Sequence, residues 1–136
     1  MNIKIVTTKK MDMNFIKKGI KEYSKRLNRF CSIEDVYIKK SEDIKKYIRD
    51  KTYIIQLNNK GSLISSEELS LHLNDLGLKG KSDIVFFVDQ EEILSVEVHM
   101  NIALSSVDMD YELMVLTLYE QIYRAFTIIN KLTYHK

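Results

Sequence analysis

A buried strand in the second half of the chain is followed at once by polar side chains. Residues 83–88, Asp-Ile-Val-Phe-Phe-Val, form a short apolar run that is typical of a strand inside a sheet. The residues that follow are Asp89, Gln90, Glu91 and Glu92. Because ligands of open α/β proteins gather at the carboxyl ends of strands, these four residues are candidates for binding chemistry. The stretch contains no glycine, the residue that lets a backbone approach a ligand closely.

Metal and disulfide chemistry find little support. His72, His99 and His135 are scattered along the chain and Cys31 is the single cysteine, so zinc-type ligand spacing is missing and we expect no metal. One cysteine cannot form an intramolecular disulfide, which is typical of a reducing cytoplasm, where we expect the protein. No apolar stretch approaches the roughly 18 residues of a membrane helix, and the amino-terminal residues have a strand pattern without a signal-peptide segment.

Apolar periodicity predicts one α/β domain over residues 1–136, in which strands and helices alternate around a largely parallel sheet. Residues 93–104 mix helical and strand periods. The expected strands are Ile3–Thr7, Ile33–Ile38, Tyr53–Leu57 and Asp83–Val88, with residues 104–107 as a last short strand. The expected helices are Met13–Arg29, Ser41–Arg49, one beginning after Ser65, and Tyr111–Asn130.

Local signals predict where several elements begin and end. Ser65 and Glu68 form a Ser-x-x-Glu capping box, and Gly77 is expected to end that helix in a left-handed conformation. Asn14 or Asp12 is expected to cap the first helix, and Ser41 the second. Residues 58–61, Asn-Asn-Lys-Gly, are expected to form a turn.

The last helix has two neighbouring apolar stripes where a surface helix needs one. The second stripe consists of Met114, Leu118, Ala125 and Ile128. A central core helix explains this width, and so does an interface between two copies of the chain, which we favour.

Charge is distributed unevenly between the two halves of the chain. Residues 1–60 carry 16 Lys or Arg against 7 Asp or Glu, whereas residues 61–136 carry 5 against 12. On charge alone, a solvated lysine-rich surface is the preferred interpretation. The alternative is a basic face that binds an RNA backbone.

The carboxyl-terminal residues 119–136, YEQIYRAFTIINKLTYHK, resemble the end of the bacterial large-subunit ribosomal RNA methyltransferase H family, through the E-Q-I-Y-R-A-F motif and the final Y-H-K. Upstream, FIKKGIKEYSKRLNRFC, YIIQLNNKGSLISSEELSLHL and GKSDIVFFV also resemble segments of that family, so the resemblance covers nearly the whole chain. It implies a SPOUT-type fold with a carboxyl-terminal trefoil knot and helices on both sheet faces. It also implies a homodimer that uses S-adenosylmethionine, without a metal, to methylate N3 of a pseudouridine in the 23S RNA of the ribosome.

The same resemblance assigns roles to individual residues. It implies that the cofactor contacts come from Leu57, from a position matching Asp89, and from Leu104, Ser105, Ser106, Val107, Asp108 and Met109. It also implies that Tyr134 and His135 orient the target base near the partner's cofactor, while Arg124 holds a phosphate. Two alternatives remain open: Arg124 pairs with Glu120 one turn away, and the end of the chain is frayed.

Two cofactor segments depart from the family pattern. Asp89 and Gln90 stand where the family has a glycine pair, and the loop is several residues shorter. In the later segment Asp108, Asp110 and Tyr111 replace threonine, proline and histidine. These changes predict weak or lost cofactor binding, because bulky acidic side chains crowd the adenosine and repel carboxylate and RNA. The hypotheses are therefore an active methyltransferase with a remodelled pocket, a non-catalytic paralogue that binds RNA or the ribosome, and an interaction protein that keeps only the dimer fold.

Overall fold

The computed structural model describes residues 1–90 and 96–134. The elements in these ranges run in the order β1 (Asn2–Thr7), α1 (Asn14–Leu27), β2 (Ser32–Tyr37), a 3₁₀ segment (Ser41–Tyr47), β3 (Tyr53–Leu63), α2 (Ser66–Leu78), β4 (Asp83–Val88), β5 (Met100–Ala103) and α3 (Tyr111–Ile129). This alternation confirms the predicted α/β class.

The five strands form one sheet in the order β2-β1-β4-β3-β5, and every pair of neighbours is parallel. Connections that step towards β2 use one face of the sheet and those that step towards β5 use the other, so all have the same hand, as parallel crossovers require. The central strands β1, β4 and β3 end side by side, which gathers the residues that follow them at one edge. The trefoil knot stays a prediction from the family resemblance.

The two faces of the sheet are covered unequally. All three α-helices pack on one face, where they bury the larger hydrophobic core together with residues such as Ile5, Leu57 and Phe86. The other face carries a smaller cluster around Val85 and Phe87, which is covered by the 3₁₀ segment and by the partly buried Val96 and Val98. The prediction of helices on both faces therefore holds in a limited form. One face carries the three α-helices, and the other carries the 3₁₀ segment.

The width of the apolar surface of α3 is explained within one chain. Met114, Leu118 and Ala125 from the second stripe are buried, because α3 packs against both α1 and α2 as well as the sheet. Ile128 is 39% exposed. The stripe therefore does not require a second copy of the chain, and the predicted dimer needs other support.

Strand β3 corrects one prediction. Residues 58–61 do not form a turn, because β3 continues through them to Leu63. Leu57 and Ser62 both lie opposite Ile102 of β5, so the residues between them bulge out of the ladder. At Gly61 a side chain would meet the backbone of Ile102 at 2.4 Å, which explains the glycine.

Strand β5 corrects a second prediction, the position of the last strand. It spans Met100–Ala103, ahead of the strand that was expected at 104–107. Residues 104–107 instead belong to the connection between β5 and α3.

The predicted capping residues agree with the structure only at the beginning of α2, where the two capping residues are three positions apart. The Ser65 and Glu68 capping box is confirmed. The stop predicted at Gly77 is wrong, since α2 continues to Leu78 and the left-handed residue is Gly80, with φ of 75°. The cap predicted from Ser41 is also wrong, because Lys40 precedes the 3₁₀ segment and makes no side-chain cap.

The cap predicted for α1 is wrong for a different reason. Neither Asp12 nor Asn14 caps the helix with its side chain. The backbone N–H groups of Asp12 and Met13 instead donate to the carboxylate of Glu112, at 2.7 and 3.0 Å. A residue from the first turn of α3 therefore satisfies the beginning of α1.

Candidate functional site

The carboxyl ends of β3 and β4 bring two of the predicted cofactor positions into direct contact. The backbone N–H of Asp89 donates to the carbonyl of Leu57 at 3.3 Å, which continues the pairing of Leu57 with Val88. Leu57 itself is fully buried. The two strand ends are thus fixed by backbone bonds, and they present Asp89 and Asn58 as the first residues beyond the paired ladder.

The side chain of Asp89 is directed towards the 3₁₀ segment. Ser41 donates its hydroxyl to the Asp89 carboxylate at 3.0 Å, and Asp89 is half-buried. Gln90 is exposed, and Glu91 and Glu92 lie outside the described residues. Within residues 89–92, the structure describes the carboxylate of Asp89, which already accepts a hydrogen bond from the Ser41 hydroxyl.

The connection between β5 and α3 supplies the other predicted cofactor residues. Because Ile102 pairs with Leu57, the residues that follow β5 start at the same edge of the sheet. The half-buried residues of this connection are Leu104, Ser105 and Met109, whereas Ser106, Val107 and Asp108 are exposed. The N–H of Val107 donates to the Ser105 hydroxyl at 3.0 Å. Leu57, Asp89 and residues 104–109 are therefore brought together at one end of the sheet.

The buried Tyr111 connects two strand ends at this edge through hydrogen bonds. Its hydroxyl donates to the carbonyl of Val88 at the end of β4 and accepts the N–H of Thr8 after β1, the latter at 3.0 Å. Burial raises the pKa of this hydroxyl, partly offset by the Thr8 hydrogen bonds, so it stays a neutral donor at ordinary pH. Tyr111, where the resemblance expects a histidine, thus joins the ends of β1 and β4.

Asp110 is built into the fold in the same way. Its carboxylate accepts the N–H groups of Glu112 and Leu113, at 3.1 and 3.3 Å, and so caps α3. Sequence reasoning missed the structural use of Asp110, Tyr111 and Glu112. The signal for Asp110 was present, because an aspartate directly before an apolar helical run is a common N-cap. Nothing local indicated that Tyr111 and Glu112 contact residues about a hundred positions away.

The residues predicted to handle RNA lie towards the other end of α3. Arg124 forms a salt bridge with Glu120 at 2.9 Å, which is the alternative the sequence left open, and its guanidinium lies 5.6 Å from the ring centre of Tyr134. The hydroxyl of Tyr134 is 3.2 Å from that of Tyr23 on α1. Burial, the Tyr23 hydrogen bond and the Glu120 charge raise the pKa of Tyr134. His135 lies outside the described residues.

The two parts of the predicted site are separated within one chain. Tyr111 marks the strand-end side of α3, and a helix rises 1.5 Å per residue, so Arg124 lies about 20 Å further along the axis. The described chain therefore brings the cofactor segments together, and brings Arg124 and Tyr134 together, but does not join the two groups.

Over residues 1–135 the chain matches the protein family described as "Predicted SPOUT methyltransferase". The chain belongs to the SPOUT methyltransferase family. The family resemblance that the sequence indicated is thereby confirmed. The parallel sheet and the cluster of segments at its carboxyl edge are the part of this SPOUT protein that the structure describes in most detail.

Relatives of this SPOUT protein carry a more specific name. It is 38% identical to ribosomal RNA large subunit methyltransferase H 1 of Thermoanaerobacter sp. (strain X514), over 136 positions that cover all of both chains. It is 38% identical to ribosomal RNA large subunit methyltransferase H of Limosilactobacillus reuteri (strain DSM 20016), and 35% identical to that of Clostridium kluyveri (strain ATCC 8527), over 159 positions with full coverage. The alignment with the first relative thus spans 136 positions, the length of this chain, whereas the alignments with the other two are longer.

The described residues contain neither a metal-binding cluster nor a membrane-spanning helix. In residues 1–90 and 96–134, no group of three or more His, Cys, Asp or Glu side chains is arranged to hold a metal ion. Among the helices of those residues, none has the length and apolar character needed to cross a membrane.

Proposed function

We propose that this SPOUT protein transfers a methyl group from S-adenosylmethionine to N3 of a pseudouridine in large-subunit ribosomal RNA, in the cytoplasm. The observation that carries the proposal is the convergence of Leu57, Asp89 and residues 104–109 at the carboxyl edge of the sheet. These are the segments that the family resemblance associates with the cofactor. The names of the relatives support the choice of RNA as substrate.

The cofactor would supply an activated methyl on a sulfonium, so the task of the protein is to bind and orient. Leu57 and residues 104–109 would hold it through backbone groups and apolar contact. Whether the cofactor fits depends on the Asp89 carboxylate, because its negative charge would repel the carboxylate of the cofactor if it pointed into the pocket. Its hydrogen bond to Ser41 directs it towards the 3₁₀ segment, which supports compatibility with the cofactor.

A homodimer would complete the site. Arg124 and Tyr134 lie about 20 Å along α3 from the cofactor segments of their own chain, so they would act on the site of a second copy. Exposed apolar side chains next to those segments support an interface there: Phe15 is 62% exposed, Val107 70% and Leu113 42%. Phe15 and Leu113 belong to the first turns of α1 and α3, which Glu112 links.

A second function is favoured by one observation. No glycine follows Gly80 in the sequence, and the family resemblance expects a glycine pair where Asp89 and Gln90 stand. A protein that binds the large ribosomal subunit without transferring a methyl group fits these replacements. In this case the dimer and the RNA surface would be kept while the cofactor pocket is lost.

The deciding experiment combines binding and activity. Calorimetry with S-adenosylmethionine should give a heat of binding for the unmodified protein, and expression in a strain that lacks the methyltransferase should restore the methyl mark on 23S RNA. No heat at millimolar cofactor and no mark would overturn the first function. Continued binding to large subunits would then support the second.

A matched pair of variants tests the role of Asp89. Asp89→Gly restores the family residue, and Ser41→Ala releases the Asp89 carboxylate without changing it. If the hydrogen bond to Ser41 keeps the carboxylate away from the cofactor, Ser41→Ala should weaken cofactor binding and the additional Asp89→Gly change should restore it. Equal binding by all the variants would contradict the fit described above.

A further inference from the structure

A cavity of about 520 Å³ lies between α1 and the edge strand β2. Its rim carries Lys9 and Lys10 from the β1–α1 connection and Lys17 and Lys21 from successive turns of α1. Asp35 and Tyr37 of β2 lie on the opposite wall. We name this cavity the lysine groove. Its volume is within the range of sites that hold a ligand of nucleotide size.

The lysine groove has a strong excess of positive charge. Four lysines face one carboxylate, and that carboxylate, Asp35, already accepts the Tyr119 hydroxyl at 2.9 Å. None of the four lysines takes part in the salt bridges formed among the described residues. Their charges are therefore not neutralised by pairing within the described chain, which favours a polyanionic ligand.

An aromatic ring lies among these charges. Tyr37 is 41% exposed at the end of β2, and the Lys10 ammonium lies 5.4 Å from its ring centre. Grooves that bind single-stranded nucleic acid combine lysines along the backbone with an exposed ring on which a base stacks. The lysine groove contains both features within one cavity.

The lysine groove leads to the candidate cofactor edge. A neighbouring cavity of about 490 Å³ shares Lys9, Lys10 and Tyr37 with it and is also lined by Tyr111 and by the acidic residues Asp12, Asp110 and Glu112. The carboxylates of Asp110 and Glu112 already accept backbone N–H groups. The Tyr111 hydroxyl donates to the carbonyl of Val88, the residue before Asp89. A strand lying in the lysine groove would therefore continue towards the edge where the cofactor segments converge.

We propose that the lysine groove binds the RNA strand next to the target nucleotide, with phosphates on Lys17 and Lys21 and one base stacked on Tyr37. This inference rests on the proposed function for the identity of the RNA. It adds a defined surface, away from the cofactor segments, that holds the substrate in register.

The test measures binding of a 23S RNA fragment that contains the target helix, as a function of salt. The double variant Lys17→Glu with Lys21→Glu should bind with a weaker salt dependence. The fall of log affinity with log salt should become less steep by about 1.4, because each phosphate contact on a single strand contributes about 0.7. The matched control is Lys18→Glu with Lys25→Glu, two exposed lysines of the same helix that do not line the groove. It should change the slope far less. Thermal melting checks that both double variants fold.

Tyr37 is tested separately. Tyr37→Ala should weaken binding about tenfold to a hundredfold, and Tyr37→Phe, which keeps the ring, should restore it. Cofactor calorimetry should be unaffected by all of these changes, because the residues lie outside the cofactor segments.

The outcomes separate the two proposals. Equal slopes for the groove and control variants would overturn the lysine groove and leave the methyltransferase proposal standing. Groove-dependent binding by a protein that transfers no methyl group would support the groove and overturn the transfer. If the unmodified protein shows no salt-dependent binding to the fragment, the lysine groove is overturned, while the methyl mark on 23S RNA decides the methyltransferase proposal separately.

Discussion

The two ends of α3 compare in an instructive way. In the strand-end region, where the resemblance predicts departures from the family pattern, the side chains are engaged in the fold: Asp110 caps α3, Tyr111 joins β1 to β4, and Asp89 binds Ser41. The other region, around Arg124 and Tyr134, carries residues on which the resemblance was based, yet its groups contact their own chain through Glu120 and Tyr23.

This difference shows that keeping a motif and being available for chemistry are separate properties. A residue that departs from the predicted pattern can support a site, and one that matches it can be engaged in a local salt bridge. Three predictions test whether the strand-end region is a rigid scaffold and whether Arg124 has a role beyond its salt bridge, and a fourth concerns the buried Cys31.

The largest effect is expected where β5 meets β3. A side chain at Gly61 would meet the Ile102 backbone at 2.4 Å, so Gly61→Ala must displace the strand that carries residues 104–109. We expect the free energy of unfolding to fall by about 3 kcal/mol in urea titrations. The control is Gly77→Ala, whose new side chain would meet only Met1 at 3.6 Å and which should be neutral or stabilising. Similar losses in both variants would argue against a tight β3–β5 contact.

A smaller loss is expected from the clamp at the strand ends. Tyr111→Phe leaves the buried Val88 carbonyl and the Thr8 N–H without their partner, which should cost about 1–3 kcal/mol. Chemical denaturation measures the loss, with Tyr123→Phe as the variant that removes a hydroxyl from the same helix. A Tyr111→Phe protein as stable as the control would mean that the hydroxyl does not hold the two strands.

The third prediction concerns Arg124, to which the family resemblance assigns a phosphate. Its salt bridge with Glu120 is partly exposed, so Arg124→Gln should reduce the free energy of unfolding by less than about 1 kcal/mol. The control is Arg26→Gln, which breaks the equivalent Glu22 pair on α1 at 2.8 Å. If Arg124 also holds a phosphate, methyl transfer to ribosomes should fall at least about tenfold for Arg124→Gln alone. Equal activity in the two variants would leave Arg124 only its salt bridge.

The last effect is confined to alkaline pH and concerns Cys31, which is buried near the end of α1. Burial raises the pKa of the Cys31 thiol from its ordinary value of 9.0 to about 11. Because the folded state favours the neutral thiol, this stabilising contribution is complete below pH 9 and is lost as the pH rises towards 11. Urea midpoints measured from pH 8 to 10.5 should therefore fall more steeply for the unmodified protein than for Cys31→Ala. Parallel pH dependences would contradict the raised pKa.

Periodicity located α1, α2 and α3 because each buries an apolar stripe, and β4 was found as a continuous apolar run that is buried on both faces. The α2 cap was found because Ser65 and Glu68 are three residues apart. The failures have a common physical origin. Residues 58–61 have turn chemistry in isolation, but pairing with β5 keeps them in a bulged strand.

The same limit applied to the candidate site. The family resemblance indicated Leu57, Asp89 and residues 104–109, and the sheet brings them to one edge. The contacts that organise this edge, Ser41 with Asp89 and Tyr111 with Thr8, join residues 48 and 103 positions apart. A sequence without an alignment gives no signal for such pairs.

The contact of Glu112 with the beginning of α1 has a consequence for the order of events during synthesis. The N–H groups of Asp12 and Met13 obtain their acceptor from a residue 99 to 100 positions later. At the usual 5 to 20 residues per second, the ribosome adds Glu112 about 5 to 20 s after Asp12 and Met13. The nascent chain therefore carries its first helix uncapped for most of its translation, and the earliest segment reaches its final form only when one of the latest has emerged.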